Sequence, residues 1–116
     1  MKYGIVGSRQ RKDKQSVIDF IDSLQSDDIV VSGGCEGVDT WAEEAAKARG
    51  LKTIIHQPKI SKGGNKFDAM HAFRNRNRLI AEECDILIAF VSLERKGGTE
   101  LTIKYAENLG KEVVVK

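Results

Sequence analysis

The stretch that decides the fold is IVVSGGCEGVDT, residues 29–40. It opens with three β-branched residues, continues through a glycine-rich turn and ends where a helix-like period begins, near Thr40. β-Branched runs favour strands, and glycines allow the sharp turn that joins a strand to a helix. The stretch therefore predicts one strand–loop–helix unit of the kind that is repeated in parallel α/β sheets.

The same alternation continues in both directions along the chain. Five short apolar runs qualify as strands: Tyr3–Val6, Ile29–Val31, Thr53–Ile55, Asp85–Val91 and Glu112–Val115. The fourth is nearly all apolar, as expected for a central strand that is covered on both faces. Strands that alternate with helices through right-handed crossovers form a Rossmann-like three-layer α/β domain. We therefore predict one domain over residues 1–116, with a five-stranded parallel sheet in the order 3-2-1-4-5 and helices on both faces.

Four helices are predicted between these strands. The first has an apolar face and either Asp13 or Ser16 as its N-cap. The second begins at Thr40 with a capping-box pattern and presents alanines to the sheet. The third spans about Lys66–Glu83, and the fourth ends at Gly110. Between the third strand and the third helix, the segment Gln57–Asn65 holds the only proline and is predicted to be a mobile flap.

Composition excludes several classes of protein. The 116 residues include 19 Lys and Arg against 17 Asp and Glu, and a net charge of +2 does not by itself indicate nucleic acid. The longest apolar run is too short for a membrane span, and the first residues do not resemble a signal peptide. Cys35 and Cys84 are far apart, with no CxxC pair, so neither a disulfide scaffold nor a metal site is expected. We expect a cytoplasmic protein without a metal or cofactor.

Positive charge is concentrated in two segments. Residues 1–14 carry five cations against one acid, and residues 59–80 carry six cations against one acid. The second segment includes Phe73–Ala81, where two asparagines occupy one helical turn although asparagine is a poor residue for a helix interior. This pattern favours a functional helix face over a merely solvated one.

Three glycine-rich loops would meet at the carboxyl edge of the sheet, where such folds bind ligands. Backbone N–H groups and helix N-termini there would favour an anion, and Arg9 could pair bidentately with phosphate. Tight βα turns also need glycines, and Asp39 could accept from ribose hydroxyls or simply cap a helix. None of the loops matches GxxxxGK[ST] or GxGxxG. The candidate ligand-binding residues are Gly7, Ser8, Arg9, Ser32, Gly33, Gly34, Gly37, Asp39, Arg76, Asn77, Arg78, Gly97, Gly98 and Thr99.

These motifs resemble those of the SLOG superfamily, whose Rossmann-like domains unite DNA-processing protein A (DprA/Smf) with the LOG phosphoribohydrolases. Residues 32–39 are similar to the DprA pattern SGxxxGID, residues 73–81 to FPxRNRxIA and residues 98–102 to GSxxT, and residues 7–9 look like the first-strand turn of the family. The resemblance covers most of the chain and is closest to the DprA core. The chain is shorter than DprA proteins and has Arg74 in place of the proline, so we expect a standalone short form.

The resemblance implies three alternative functions. The first, which we predict, is binding of a nucleotide or nucleotide-derived ligand by phosphate-cradling loops. The second is LOG-like hydrolysis of a nucleoside monophosphate. The LOG motif GGxGTxxE carries a catalytic glutamate where this chain has Thr102, so Glu100 or Glu36 would have to replace it. The third is single-stranded DNA binding as in DprA, which the two basic segments favour although aromatic residues for stacking are few.

The resemblance also bears on oligomeric state. SLOG-like domains often pair, and Trp41 together with an alanine-rich surface could serve such an interface. We therefore predict a homodimer.

Overall fold

The computed structural model describes residues 1–60 and 63–116, and the statements on structure below refer to these residues. Ser61 and Lys62, which belong to the predicted flap Gln57–Asn65, lie outside them. Strands and helices alternate throughout, which confirms the α/β class. The elements are β1 (Lys2–Gly7), α1 (Lys14–Asp22), β2 (Ile29–Ser32), α2 (Val38–Ala48), β3 (Lys52–Ile55), α3 (Lys66–Glu83), β4 (Ile86–Phe90), α4 (Gly98–Asn108) and β5 (Glu112–Val115).

The five strands form one parallel sheet in the order β3-β2-β1-β4-β5, as predicted. β1 lies at the centre and pairs with β2 on one side and with β4 on the other. The register places Gly7, the last residue of β1, opposite Phe90, the last residue of β4. The loops that follow these two strands therefore start side by side at the carboxyl edge of the sheet.

Hydrophobic cores lie on both faces of the sheet, as the three-layer prediction requires. Successive residues of a strand point to opposite faces, so adjacent apolar residues supply different cores. Val30 packs with α1 and α2, whereas Val31 packs with α3 and α4. In β4, Ile88 likewise packs in the α1–α2 core and Leu87 in the α3–α4 core. Trp41 is half-buried at the edge of the α1–α2 core.

Two predicted helix starts are confirmed and one is wrong. Asp13 caps α1 by accepting from the Ser16 N–H, and α3 has the predicted bounds. α2 begins at Val38, two residues before the predicted start at Thr40, and has no side-chain cap. The expected capping box does not form because the Thr40 hydroxyl donates to the Cys35 carbonyl (2.7 Å) and the Glu43 carboxylate accepts from Ser32.

Among the four helices of the described ranges, none combines the length and apolar character needed to cross a membrane.

Candidate anion-binding site

A cavity of about 440 Å³ lies at the carboxyl edge of the sheet. The loops after β1, β2 and β4 contribute to its wall, together with α3 and the start of α4. Nine of the predicted ligand-binding residues line it, although they come from segments far apart in the sequence. They are Gly7, Ser8, Arg9, Asp39, Arg76, Asn77, Gly97, Gly98 and Thr99.

Four other candidates, at the end of β2 and in the β2–α2 loop, do not line the cavity. Ser32 is fully buried and donates its hydroxyl to Glu43 of α2. The Gly33 carbonyl accepts a hydrogen bond from Arg76 (2.6 Å). Gly34 faces the residues that follow β3, and Gly37 is the N-cap of α2. These residues shape the loop and are not part of the cavity surface.

Two charged candidates also lie off the wall. Arg78 is exposed and donates to Glu82 (3.3 Å) and to the Asn75 side chain on the same helix. The Glu100 carboxylate accepts from Arg95 Nε (2.9 Å). The structure therefore brings neither Arg78 nor Glu100 to the cavity.

Arg76 is the central cation of the cavity. Its residue surface is only 8 % exposed. Nη1 donates to the Gly33 carbonyl (2.6 Å) and to Cys35 Sγ (3.2 Å), and Nε donates to Asn77 Oδ1 (2.9 Å). No carboxylate oxygen of the described residues lies within 4.0 Å of its guanidinium. A buried charge without a direct ion pair is costly, and the Asp39 carboxyl acts on Arg76 only without contact, so Arg76 is a candidate to bind an anion.

The absence of a side chain at Gly33 is what lets Arg76 take this position. A Cβ at Gly33 would lie 2.3 Å from Arg76 Nη1, closer than two such atoms can approach. The first glycine of the GG pair therefore admits the arginine, a packing role that the loop sequence alone does not reveal.

Two side-chain nitrogens remain available at the cavity wall. Arg76 Nη2 and Asn77 Nδ2 have no hydrogen-bond partner in residues 1–60 and 63–116, and both side chains line the cavity. Asn77 is only 7 % exposed, and its Nδ2 lies 3.3 Å from where a Cβ of Gly98 would be. The Asn77 amide therefore stands next to the first turn of α4.

The N-terminus of α4 adds further donors on the same wall. Gly97 is the N-cap, and no side chain caps the helix. The first N–H groups of a helix lack partners within the helix and carry a partial positive charge. Gly98 and Thr99 of this first turn line the cavity, and the Thr102 hydroxyl donates back to the Gly98 carbonyl (2.9 Å). An anion at this wall would meet both the helix terminus and Arg76.

Asp39 is the buried acid of the wall. Its Oδ2 accepts from the N–H groups of Gly33 and Cys35, both at 3.2 Å. Burial raises the pKa of Asp39 from its usual 3.8 to about 6, against the opposing effect of the Cys35 hydrogen bond and of the Arg76 charge. The carboxyl therefore titrates close to neutral pH, and its proton alters the charge of the cavity.

Four further residues line the cavity but were not among the predicted ligand-binding residues, although Glu36 was named as a possible replacement for the LOG glutamate. Cys35 and Glu36 belong to the β2–α2 loop, and Ser92 and Lys96 follow β4. Considering every residue after these strands would have found all four. The cavity then has three cations, Arg9, Arg76 and Lys96, against the acids Glu36 and Asp39.

The sheet order, with a cavity at the edge where such sheets bind ligands, defines the protein as a Rossmann-like α/β domain. The model of the family described as DNA recombination-mediator protein A matches residues 1–59, just over half of the chain. The chain belongs to this family, which confirms the resemblance to the DprA core.

Solved structures support the same assignment. The X-ray structure of DNA processing protein A (DprA) from Streptococcus pneumoniae matches with a TM-score of 0.81 and 26 % identity. The match covers 98 % of this chain and 49 % of that chain, so this chain spans about half of its relative. The C-terminal domain of a hydrogenase from Pyrococcus furiosus matches with a TM-score of 0.54 and 11 % identity, over 99 % and 90 % of the two chains, and shows the fold alone. No curated protein matches the chain.

Proposed function

We propose that this chain binds single-stranded DNA and holds one backbone phosphate in the cavity at the carboxyl edge of the sheet. The observation that carries this proposal is Arg76, a buried guanidinium with no carboxylate within 4.0 Å in the described structure and with Nη2 free at the cavity. A phosphate would supply the missing negative charge and accept from the free nitrogen. The free N–H groups at the start of α4 and the Asn77 amide, which lie on the same wall, would donate hydrogen bonds to the remaining phosphate oxygens.

Exposed cations in the β1–α1 region and on α3 favour a polymer over an isolated phosphate. Arg9, Lys12 and Lys14 lie on the β1–α1 side, and Lys66 and Arg74 lie on α3. All five are exposed, and none forms an ion pair within the part of the chain that the structure describes. Neighbouring phosphates of a strand could contact these groups, which gives binding that is independent of sequence and sensitive to salt. The family description, DNA recombination-mediator protein A, agrees with DNA as the source of the phosphate.

A free nucleotide is the second candidate, as the sequence predicted. The cavity volume of about 440 Å³ is within the usual range for small-molecule sites, which favours a ligand of this size. Glu100 lies off the wall, whereas Glu36, the other possible replacement for the LOG glutamate, lines the cavity. The proposal concerns binding and includes no hydrolytic step. The homodimer, the single-domain organisation and the cytoplasmic location stay predictions.

The test compares two arginines that donate to backbone carbonyls, buried Arg76 at the cavity and exposed Arg49 remote from it. Arg49 donates to the carbonyls of Ile21 (2.7 Å) and Leu24 (2.8 Å) and does not line the cavity, so it is the matched control. Fluorescence anisotropy with a labelled oligothymidylate should show about a 100-fold loss of affinity for Arg76→Met, since charge-assisted contacts contribute about 1.5–3 kcal/mol each. Arg49→Met should lower the melting temperature and leave the affinity unchanged.

Competition separates the two candidate ligands. Excess thymidine monophosphate should displace the oligonucleotide only weakly if the strand is the ligand, and at micromolar concentration if the cavity is built for a free nucleotide. Wild-type affinity in a folded Arg76→Met protein would contradict both candidates.

A further inference from the structure

A second depression adjoins the anion-binding cavity and has a different chemical character. It is a groove of about 580 Å³ between the N-terminal halves of α3 and α4. Its apolar surface comes from Ala69, Met70, Phe73 and Leu101. The groove and the cavity share Phe73, Asn77, Gly97 and Gly98, so a ligand can occupy both without leaving the protein surface.

We infer that this α3–α4 groove receives the base and sugar of the nucleotide whose phosphate lies in the cavity. The inference rests on the proposed function and names the part of the ligand that the cavity itself does not hold. A nucleotide has an anionic end joined to a flat, largely apolar ring system. The cavity, which holds the charged side chains and the α4 N-terminus, and the more apolar groove meet at Asn77 and Gly98 in the matching order.

The charge around the groove supports a nucleotide as its occupant. Lys66 and Arg74 are exposed at the groove and carry positive charge, while no acidic residue lines it among the described residues. An apolar depression with a purely basic rim suits a ring system that is attached to phosphates on either side. A helix of a protein partner would have to carry acidic or hydrogen-bonding side chains opposite Lys66 and Arg74, which a purely apolar helix lacks.

The groove residues also predict how the base is recognised. Asn77 is the only uncharged polar side chain at the groove in the described structure, and its Oδ1 already accepts from Arg76. The walls therefore offer contact area but few directional groups for base edges. Met70 is 49 % exposed and unbranched, so it can adapt to rings of different size. We expect the groove to accept any base, with larger rings held more tightly.

The experiment compares a base with its absence at constant charge. An oligothymidylate and an abasic oligomer of equal length carry the same number of phosphates. Wild-type protein should bind the base-bearing strand about tenfold more tightly, the lower end of what base contacts contribute. Met70→Ala combined with Leu101→Ala should reduce that preference to about twofold while leaving the affinity for the abasic strand unchanged. The matched control is Leu109→Ala, because Leu109 is 50 % exposed at the other end of α4 and lies outside the groove.

Each remaining outcome decides between the two proposals. Equal wild-type affinity for both oligomers would overturn the inference and leave the phosphate proposal standing. A preference for bases that survives the double substitution would place the base elsewhere and also overturn the inference. Binding of neither oligomer would remove the proposed function itself. A concentration-dependent dimer that the double substitution abolishes would assign the groove to a second copy of the chain.

Discussion

The β2–α2 loop and the β4–α4 loop both enter their helices through glycines, but they differ in how many hydrogen-bonding groups they leave open to the cavity. Both contain a glycine pair, and both end at a glycine N-cap with positive φ, Gly37 at +86° and Gly97 at +94°. In the β2–α2 loop the polar groups are engaged inside the protein. Asp39 binds two loop N–H groups, and Arg76 binds the Gly33 carbonyl. In the β4–α4 loop the first turn of the helix faces the cavity without a cap.

A loop that enters its helix through a glycine at a sheet edge can therefore be either scaffold or binding surface. The β2–α2 loop positions Arg76 and Asp39, and the β4–α4 loop supplies open donors. Substitutions in the first loop should therefore change stability, and substitutions of open groups should change binding. Four predictions test this division, in order of decreasing effect.

The largest expected effect concerns Asp39 and pH. Because the folded pKa, about 6, is above the usual 3.8, protonation favours the folded state. The resulting stability is fully present below about pH 4 and is lost as pH rises through 6. Relative to Asp39→Asn, which stays neutral and can still accept from both N–H groups, wild type should lose about 3 kcal/mol between about pH 4 and pH 7.5. Urea unfolding of both proteins at the two pH values measures this difference. A constant difference would mean that the carboxyl is not desolvated in solution.

Gly7 connects the two sides of the comparison. A Cβ at this position would lie 2.4 Å from Cγ2 of Val38, the first residue of α2. Gly7→Ala should therefore lower the free energy of unfolding by about 2 kcal/mol, as overpacking of a core does. Gly63→Ala is the control, because a Cβ at Gly63 would meet no neighbouring atom within 4 Å. Its φ of +83° adds a smaller strain of its own. A loss for Gly7→Ala no larger than that for Gly63→Ala in thermal unfolding would show that the contact with Val38 adds no cost at position 7.

Ser8 and Ser32 were both predicted to bind ligand, but their substitutions should have different effects. Ser32→Ala removes a buried hydrogen bond to Glu43 and should cost about 1 kcal/mol of stability without affecting oligonucleotide affinity. Ser8 lines the cavity, and Ser8→Ala should weaken binding a few-fold with little loss of stability. Melting temperatures and anisotropy titrations on both variants check the pair. The reverse pattern would contradict the assignment of Ser32 to structure and of Ser8 to binding.

The smallest effect should come from two exposed arginines. Arg9 lines the cavity and Arg78 does not, yet both contribute the same charge to the protein. Arg9→Gln should reduce the dependence of log affinity on log salt concentration by about one phosphate contact, and Arg78→Gln should not. Titrations at several salt concentrations measure the two slopes. Identical slopes for the two variants would indicate that only net charge matters.

The sheet could be predicted almost completely from the sequence, because apolar runs separated by helical periods define parallel strands. The helix 2 start could not, since Thr40 and Glu43 form a capping-box pattern yet bind Cys35 and Ser32. Local patterns do not show which distant group a side chain will meet. For the same reason the sequence placed Ser32 and Gly33 with the ligand-binding residues, although the fold turns both toward other parts of the protein.

Helix geometry explains why the RNR triplet divides. Neighbouring helical residues are separated by about 100°, so Arg76, Asn77 and Arg78 cannot all face one cavity. The spacing of Phe73, Asn77 and Ile80 at i, i+4 and i+7 marks the cavity face, and all three line it. That periodicity is visible in the sequence and would have excluded Arg78.

The two thiols of the chain occupy opposite environments. Cys84 is fully buried in the α3–α4 core, whereas half-buried Cys35 lines the cavity with Sγ 3.2 Å from Arg76 Nη1. A maleimide dye added to the folded protein would therefore attach at the cavity wall and spare the core. The natural sequence thus already carries a single labelling position, and a fluorophore there would report directly on the guanidinium that we expect to meet phosphate.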